Sequence, residues 1–273
     1  MLARPTSDSL NFEVIQSGLC TESLGKKLHI LTKTPSTNLL GLTLADSDEP
    51  HGTVILAEHQ TAGKGRLGRS WVSSPNKNIY CSVILKRPGL QEHLPWVPLV
   101  TGLAIAEAIQ TKHSTTLSLK WPNDLLVGDK KLGGILCEGT TRKGEASALI
   151  VGFGVNVNST SEDFPPNLHT ISTSLYQESG RFCNRNSLLS SIFNNLEKWY
   201  ERLAMHDLDV IHSAYSASCS TLGTDVCCTL TGSHHVNGRA TEIGKDGSLQ
   251  VTPFEAGAKK NIILHSADVT HIR

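Results

Sequence analysis

Residues 63–69, Gly-Lys-Gly-Arg-Leu-Gly-Arg, set three cations among three glycines. Glycines let backbone N–H groups approach an anion, and the interleaved side chains of Lys64, Arg66 and Arg69 can fold over it from the sides. The chemistry implied is the holding and covering of a phosphate or carboxylate. Gly63, Gly65 and Gly68 also match the spacing of a dinucleotide-binding turn, but that turn must open a helix whose N-terminus meets a pyrophosphate. Here the loop runs into Ser70-Trp71-Val72-Ser73-Ser74-Pro75-Asn76, where Pro75 and its polar neighbours prevent a helix of useful length. A P-loop is excluded as well, because Gly25-Lys26 is followed by lysine instead of serine or threonine.

Three further stretches bear on the same chemistry. In LSLKWPND (117–124) a lysine, Lys120, stands inside an apolar strand beside Trp121. It is either a side chain snorkelling from a strand edge or a cation delivered into a pocket that closes where Pro122 ends the ladder. In KKLGGILCE (130–138) Gly133 and Gly134 interrupt bulky residues, which reads as a bulge or as the close approach of a ligand. In VGFGVNVN (151–158) Gly152 and Gly154 alternate toward Asn156, leaving a flat strand face that can accept a planar ring.

These residues need elements to position them. Ser36 is placed to cap a helix whose Leu39, Leu40 and Leu44 face inward. GTVILAEHQ is a strand entering the glycine loop, and NIYCSVILK is one leaving it. LPWVPLVTGLAIAEAIQ has the spacing of a buried helix, with Leu99, Leu103 and Ala106 on one side beside Val100 and Ala104. LSLKW, KLGGILCEG and SALIVGFGVNVN follow as an antiparallel meander with turns at Gly128-Asp129 and Lys143-Gly144. NSLLSSIFNNLEKWYERL places Leu188, Leu189, Ile192, Phe193, Leu196, Trp199, Tyr200 and Leu203 at helical steps. Beyond about residue 220 the texture changes to the short strands DVCCTL, GRATEIG, GSLQVT, NIILH and DVTHIR, with Lys245-Asp246-Gly247 as a hairpin turn. The fold class expected is α+β with a mainly antiparallel sheet over 1–219, followed by a small β-barrel over 220–273.

The bulk numbers narrow the setting. The 273 residues carry 25 basic against 25 acidic side chains, so a formal net charge of zero points to neither DNA nor an anionic membrane. The loop is therefore a local site on a neutral protein. Seven cysteines form no C-x-x-C pair, which argues against a disulfide framework and a zinc module and for a reducing compartment. The first twenty residues resemble neither a signal nor a transit peptide, and no apolar run has the length of a membrane span, so a cytoplasmic location is expected.

In this order and spacing, PSTN (35–38), EHQTAGKGRLGRSW (58–71), LKWPNDLLVGDKKLGGILCE (119–138) and VGFGVNVN (151–158) closely resemble the biotin protein ligases, also called biotin–[acetyl-CoA-carboxylase] ligases. The resemblance runs from about residue 28 to the C-terminus. It implies a class II synthetase-like catalytic domain carrying a small SH3-like barrel. It also implies two-step chemistry: biotin and MgATP give biotinyl-5′-AMP, and a lysine of a biotin carboxyl carrier domain then attacks it. Carried over by residue, it gives Ser36, Thr37, Asn38 and Gln60 as contacts to the biotin ring and tail, and Lys64, Gly65 and Arg66 as the cover over biotin and adenylate. Trp71 resembles the aromatic beside the adenine, and Lys120 the lysine that reaches the carboxylate and reacting phosphate. Arg66 and Lys120 are the catalytic candidates, Gly134 and Gly154 belong to the ligand-facing strands, and Asp124 and Asn156 are candidates near Mg²⁺, which needs few protein ligands when a triphosphate supplies most of them. Lys120 emerges from a rigid strand, whereas the glycines leave Arg66 on a mobile loop.

Two positions depart from the family pattern. Lys64 stands where arginine is usual, and Asn76 replaces the glycine commonly found after Pro75. Some members add an N-terminal winged helix-turn-helix. Fewer than about 30 residues precede the motifs here, so no DNA partner is expected; a homodimer is compatible with the sequence. The rival readings are a lipoate-type ligase and a biotin-binding module without turnover. His206, Asp209 and His212 read as the solvated end of an amphipathic helix, His234-His235 as a surface turn, and one of Cys227 and Cys228 as core.

Overall fold

A strand covered on both faces reads as an unbroken apolar run, and β2 (Thr53–Ala57) is one, with every residue buried. Val54 and Leu56 point into the main core, whereas Ile55 joins a smaller cluster on the opposite face. In this computed structural model, which describes residues 8–47, 49–87, 90, 92–142, 145–230, 235–255 and 261–272, β2 belongs to a seven-stranded sheet. Its other members are β1 (Leu28–Leu31), β3 (Ile79–Leu85), β4 (Ser118–Lys120), β5 (Asp124–Val127), β6 (Lys130–Arg142) and β7 (Glu145–Val155). The order is β1-β2-β3-β7-β6-β5-β4, with β1 parallel to β2 and every other pair antiparallel. The expected three-run meander is four strands. Trp121-Pro122-Asn123 turns the chain so tightly that Asp124 pairs back onto Lys120 and opens β5. The Lys143-Gly144 turn and His234 lie outside the described residues.

Helices cover both faces. α3 (Trp96–His113), α5 (Arg185–Ala204) and α6 (Leu208–Ser218) build the main core, joined by α1 (Phe12–Ser17) and α4 (Leu175–Ser179). The periodic apolar residues of α5 are all buried, and Asn184 caps its first turn. In α3 Ala106 is only half-buried, and the buried side continues instead through Ile105, Ala108 and Ile109. α2 (Thr37–Ala45) lies on the opposite face, with a phase that differs from expectation. Thr37, Asn38, Gly41 and Ala45 face inward, Leu40 and Leu44 are half-buried, and Leu39 is 44% exposed. Polar anchoring at its first turn sets the rotation, and the leucines take what remains.

The expected C-terminal runs are β8 (Asp225–Thr229), β9 (His235–Ile243), β10 (Leu249–Pro253), β11 (Ile262–Leu264) and β12 (Asp268–His271). They form a separate antiparallel sheet in the order β11-β10-β9-β8-β12, the last strand returning to the first in the manner of a small SH3-like barrel. Cys228 is core and Cys227 half-exposed, and all the cysteines are free. The Lys245-Asp246-Gly247 turn receives two buried indoles: Trp96 Nε1 donates to the Lys245 carbonyl at 2.9 Å and Trp121 Nε1 to that of Gly247 at 3.0 Å. Among the described residues no helix is long and apolar enough to cross a membrane.

Arg185, at the first position of α5, is fully buried. Its guanidinium bonds Asp8 Oδ2 at 2.7 Å, Glu58 Oε2 at 2.6 Å and the Asn78 carbonyl at 3.1 Å, and it also reaches the Asp8 carbonyl. Burial alone disfavours the charge, but the two carboxylates more than restore it. Arg185→Ala should cost about 3–5 kcal/mol, because it leaves the Glu58 and Asp8 charges buried without their partner. Urea denaturation checks this; a midpoint shift no larger than that of a surface substitution would show that the cluster is not a structural clamp.

Candidate active site

The glycine loop leaves β2 at Glu58 and re-enters the sheet after Asn78, so Arg185 grips both of its ends. Inside it Trp71 N donates to Gly63 O at 2.9 Å and Gly65 N to Arg69 O at 2.7 Å, folding the loop back on itself. A short 3₁₀ turn spans Arg66–Gly68, with Leu67 at φ 55° and Gly68 at φ 73°. No longer helix follows, which removes the dinucleotide reading. Asn76 adopts φ 61°, so asparagine, one of the few non-glycine residues that tolerate this region, makes the turn where the family glycine is missing.

Arg66 is docked rather than free. Its guanidinium donates to Asn123 Oδ1 at 2.9 Å, Ser266 Oγ at 2.7 Å and the Ala267 carbonyl at 3.3 Å. Arg69 pairs with Asp268 at 3.0 Å. The loop thereby bridges the Lys120–Asp124 turn and the β11–β12 turn, and both of its arginine side chains are held despite its glycines.

At one end of the cleft the polar residues form a closed network. Gln60 Oε1 accepts from Thr37 N at 2.9 Å, and its Nε2 donates to Ser73 at 3.2 Å. Asn38 Nδ2 donates to Glu138 at 2.7 Å and to Leu136 O at 3.1 Å, and Asn38 Oδ1 accepts from the buried Ser82 at 2.6 Å. Ser36 accepts from Leu39 N as the N-cap. A Cβ on Gly152 would stand 2.0 Å from Asn38 Oδ1, so the glycine there makes room for a side chain of the protein itself.

The next glycine step is also filled. A Cβ on Gly154 would stand 2.6–2.8 Å from three atoms of the Trp71 indole, and one on Gly134 would lie 3.5 Å from the same ring. The planar ring on the side-chain-free floor is thus Trp71. Lys131 Nζ lies 5.7 Å from its centroid, and Trp71 Nε1 is buried without a hydrogen-bond partner among the described residues. Gly133 faces elsewhere: a Cβ would meet Gly154 O at 2.7 Å and Leu125 at 2.8 Å, so close packing requires glycine there.

Lys120 is half-buried in the cleft, and no hydrogen bond or ion pair holds its ammonium among the described residues. Burial pulls its pKa below the ordinary lysine value; Asp124 works against that shift and Lys131 adds to it. Asp124 is already paired with Lys131 at 2.6 Å, and Asn156 Nδ2 donates to Thr173 O at 3.0 Å. A triphosphate-bound Mg²⁺ needs only one or two protein oxygens. Asp124 and Asn156 offer oxygens of that kind in the cleft and would be the groups to hold such an ion.

Every candidate substrate residue, from Ser36 to Asn156, lines one cleft of about 280 Å³, together with Asp124. Sequence reasoning missed Asn123, Lys131 and Asp268, which line it too. Asn123 and Asp268 stood inside quoted stretches, but nothing local marked them as partners of loop arginines. The His206, Asp209 and His212 series breaks up. His206 lies between α5 and α6 beside His93, whereas His212 Nε2 is 2.6 Å from the Ile243 carbonyl of the C-terminal sheet.

The family model for biotin/lipoate A/B protein ligases matches residues 29–156. The bifunctional ligase/repressor BirA of Bacillus spizizenii is 34% identical, over 93% of this chain and 77% of its own length. The biotin–[acetyl-CoA-carboxylase] ligase of Mycobacterium tuberculosis is 30% identical, over 99% and 97%. The biotin protein ligase of Aquifex aeolicus, solved with biotin and ATP, superposes with a TM-score of 0.77 at 27% identity, over 91% of this chain and 99% of that one.

The glycine floor can be tested directly. Gly152→Ala forces a methyl group into Asn38 and should cost about 1–3 kcal/mol. Gly154→Ala should displace the Trp71 indole and shift intrinsic fluorescence, and in a Trp71→Ala background that shift should disappear. An unchanged spectrum for Gly154→Ala alone would mean that the indole does not rest on the floor.

Proposed function

The chain belongs to the biotin/lipoate A/B protein ligase family, and on that premise we propose that it activates biotin with ATP and transfers it to a lysine of a biotin carboxyl carrier domain. One observation carries the reading at the level of chemistry: a half-buried Lys120 ammonium, unpaired among the described residues, lies in a cleft that the cationic glycine loop also lines. Such a group is costly to leave without an anion, and the reaction brings two. The biotin carboxylate and the ATP α-phosphate repel one another, so the first step needs positive charge placed where they meet.

Lys120 holds the carboxylate against the phosphate while a carboxylate oxygen bonds to phosphorus and pyrophosphate leaves. The Thr37–Gln60 and Asn38–Ser82 networks offer the biotin ring and tail preset polar partners, with Ser36 beside them. Lys64, Gly65 and Arg66 cover the product and exclude water from the mixed anhydride. The adenine packs against the Trp71 indole, which itself rests on Gly154 with Gly134 at its edge. Magnesium, when bound near Asp124 and Asn156, neutralises the triphosphate charge. In the second step the carrier amine attacks the acyl carbon, AMP leaves and the amine proton passes to solvent. The naming of the Mycobacterium tuberculosis relative supports a carrier of the acetyl-CoA carboxylase type.

We further propose residues 1–219 as the catalytic part and 220–273 as a module that supplies a second wall, a reading supported by the reach of Ser266 and Ala267 to Arg66. A cytoplasmic location is supported by the free cysteines. The zero formal charge supports a function without DNA.

Purified protein with labelled biotin, a carrier domain and MgATP should place label on the carrier, and unlabelled lipoate should not compete. Label transfer without ATP would overturn the ligase reading, and effective competition by lipoate would overturn biotin as its substrate.

Lys120 and Arg66 should separate in single-turnover assays. Lys120→Ala should slow adenylate formation by roughly 10²-fold, whereas Arg66→Ala should form adenylate but leak it, labelling non-target lysines. The Lys120 charge is present below its depressed pKa and is lost as pH rises through it. Adenylate formation should therefore fall at a pH below the ordinary lysine value of 10.5, and Lys120→Arg should move that fall upward. Equal losses without leakage, or an alkaline limb unmoved in Lys120→Arg, would defeat these assignments.

A further inference from the structure

Outside the cleft, Glu92 and His93 in the turn before α3 meet His206 in the link between α5 and α6. His93 Nε2 and His206 Nδ1 are 2.8 Å apart, and His206 Nε2 lies 3.6 Å from Glu92 Oε2. Taking one ligand atom from each residue, two imidazole nitrogens and a carboxylate oxygen fall within 4.8 Å of one another. None of the three lines the cleft.

We propose that Glu92, His93 and His206 form a binding site for a borderline divalent transition-metal ion of the zinc class. Two imidazoles and one carboxylate are the donors such ions prefer, whereas magnesium prefers oxygen alone. The site is thus chemically distinct from the one that the nucleotide's metal would use.

The backbone around the ligands is fixed. Trp96 N donates to His93 O at 2.9 Å, and the Trp96 indole is buried. His206 N donates to Leu203 O at 3.1 Å, and Leu208 N to His206 O at 2.8 Å. His206 itself sits at φ 59°, a left-handed conformation uncommon outside glycine, and this aims its ring across at His93. Two nitrogens at about 2.05 Å from a tetrahedral ion stand roughly 3.3 Å apart. The pair therefore needs to separate only slightly for a metal to replace the proton it now shares. Glu92 and His206 are exposed, so an ion can enter and water can complete the coordination. Binding would fasten the start of α3 to the α5–α6 link, next to the Trp96 indole that seats the C-terminal sheet.

The test uses the full-length protein, freed of metal and without ATP, titrated calorimetrically with zinc while magnesium is in excess. The expected result is one ion per chain and, with cobalt(II), absorption of a nitrogen–oxygen site without a thiolate charge-transfer band. His93→Ala and His206→Asn should each weaken binding by roughly 10-fold or more; asparagine tolerates the left-handed backbone, so the second variant keeps the fold. Absence of binding, affinity unchanged in both variants, or a thiolate band assigning the ion to the cysteines would each overturn the proposal.

Discussion

One buried guanidinium governs the geometry of everything around the glycine loop. Arg185 is out of water, and such a charge persists only where carboxylates and carbonyls surround it. Glu58 supplies one carboxylate from the end of β2, Asn78 a carbonyl from the approach to β3, and Asp8 a second carboxylate from the N-terminal segment. Glu58 also accepts the Leu10 amide at 2.7 Å, and Asn78 Oδ1 that of Val157 at 2.9 Å, so the clamp reaches the segment just beyond the strand that carries Gly152 and Gly154. A loop rich in glycine loses much conformational freedom on ordering. Fixing both ends at one point leaves only its interior to be ordered.

That interior is electrostatically sorted. Arg69, Lys131 and Arg66 are already engaged, by Asp268, Asp124 and a set of neutral acceptors respectively. Among the described residues Lys120 and Lys64 have no such partner, and of the two only Lys120 is half-buried. Its strand position and the immediate return of the chain at Asp124 hold it rigidly. In the role proposed for Lys120 the arrangement is pre-organised: the stabilising charge is in place before the reacting groups arrive.

Much of this was legible in the sequence, for a physical reason. Within each motif the residues lie close together along the chain or on strands whose alternation fixes which face they share; that the four motifs gather in one cleft was implied by the family resemblance. Local pattern likewise revealed α5, whose apolar period is regular, and the five C-terminal strands, whose turns are marked. What escaped are contacts between residues far apart in the chain. Arg185 and Glu58 are 127 positions apart, Arg66 and Ser266 are 200, and His93 and His206 are 113. No local period encodes such pairs. The rotation of α2 escaped because polar groups at its first turn set it, against the pull of its leucines. The glycine floor was read as space for a ligand, but the sequence does not say that Asn38 and Trp71 occupy it.

The two arginines that moor the loop to the C-terminal sheet differ in how they respond to ionic strength. Arg69 and Asp268 are both largely exposed, at 57% and 43% of their side chains, and mobile ions screen such a pair readily. Arg66 is instead seated on an amide oxygen, a hydroxyl and a backbone carbonyl, dipoles that carry no net charge for salt to screen. Added salt therefore loosens one mooring and spares the other. The segment between them contains Gly68, whose φ of 73° already lies in the region most open to glycine. In concentrated electrolyte the loop keeps its anchor at Arg66 and its own backbone bonds across Gly68, and only the Arg69 side chain is released from the C-terminal sheet.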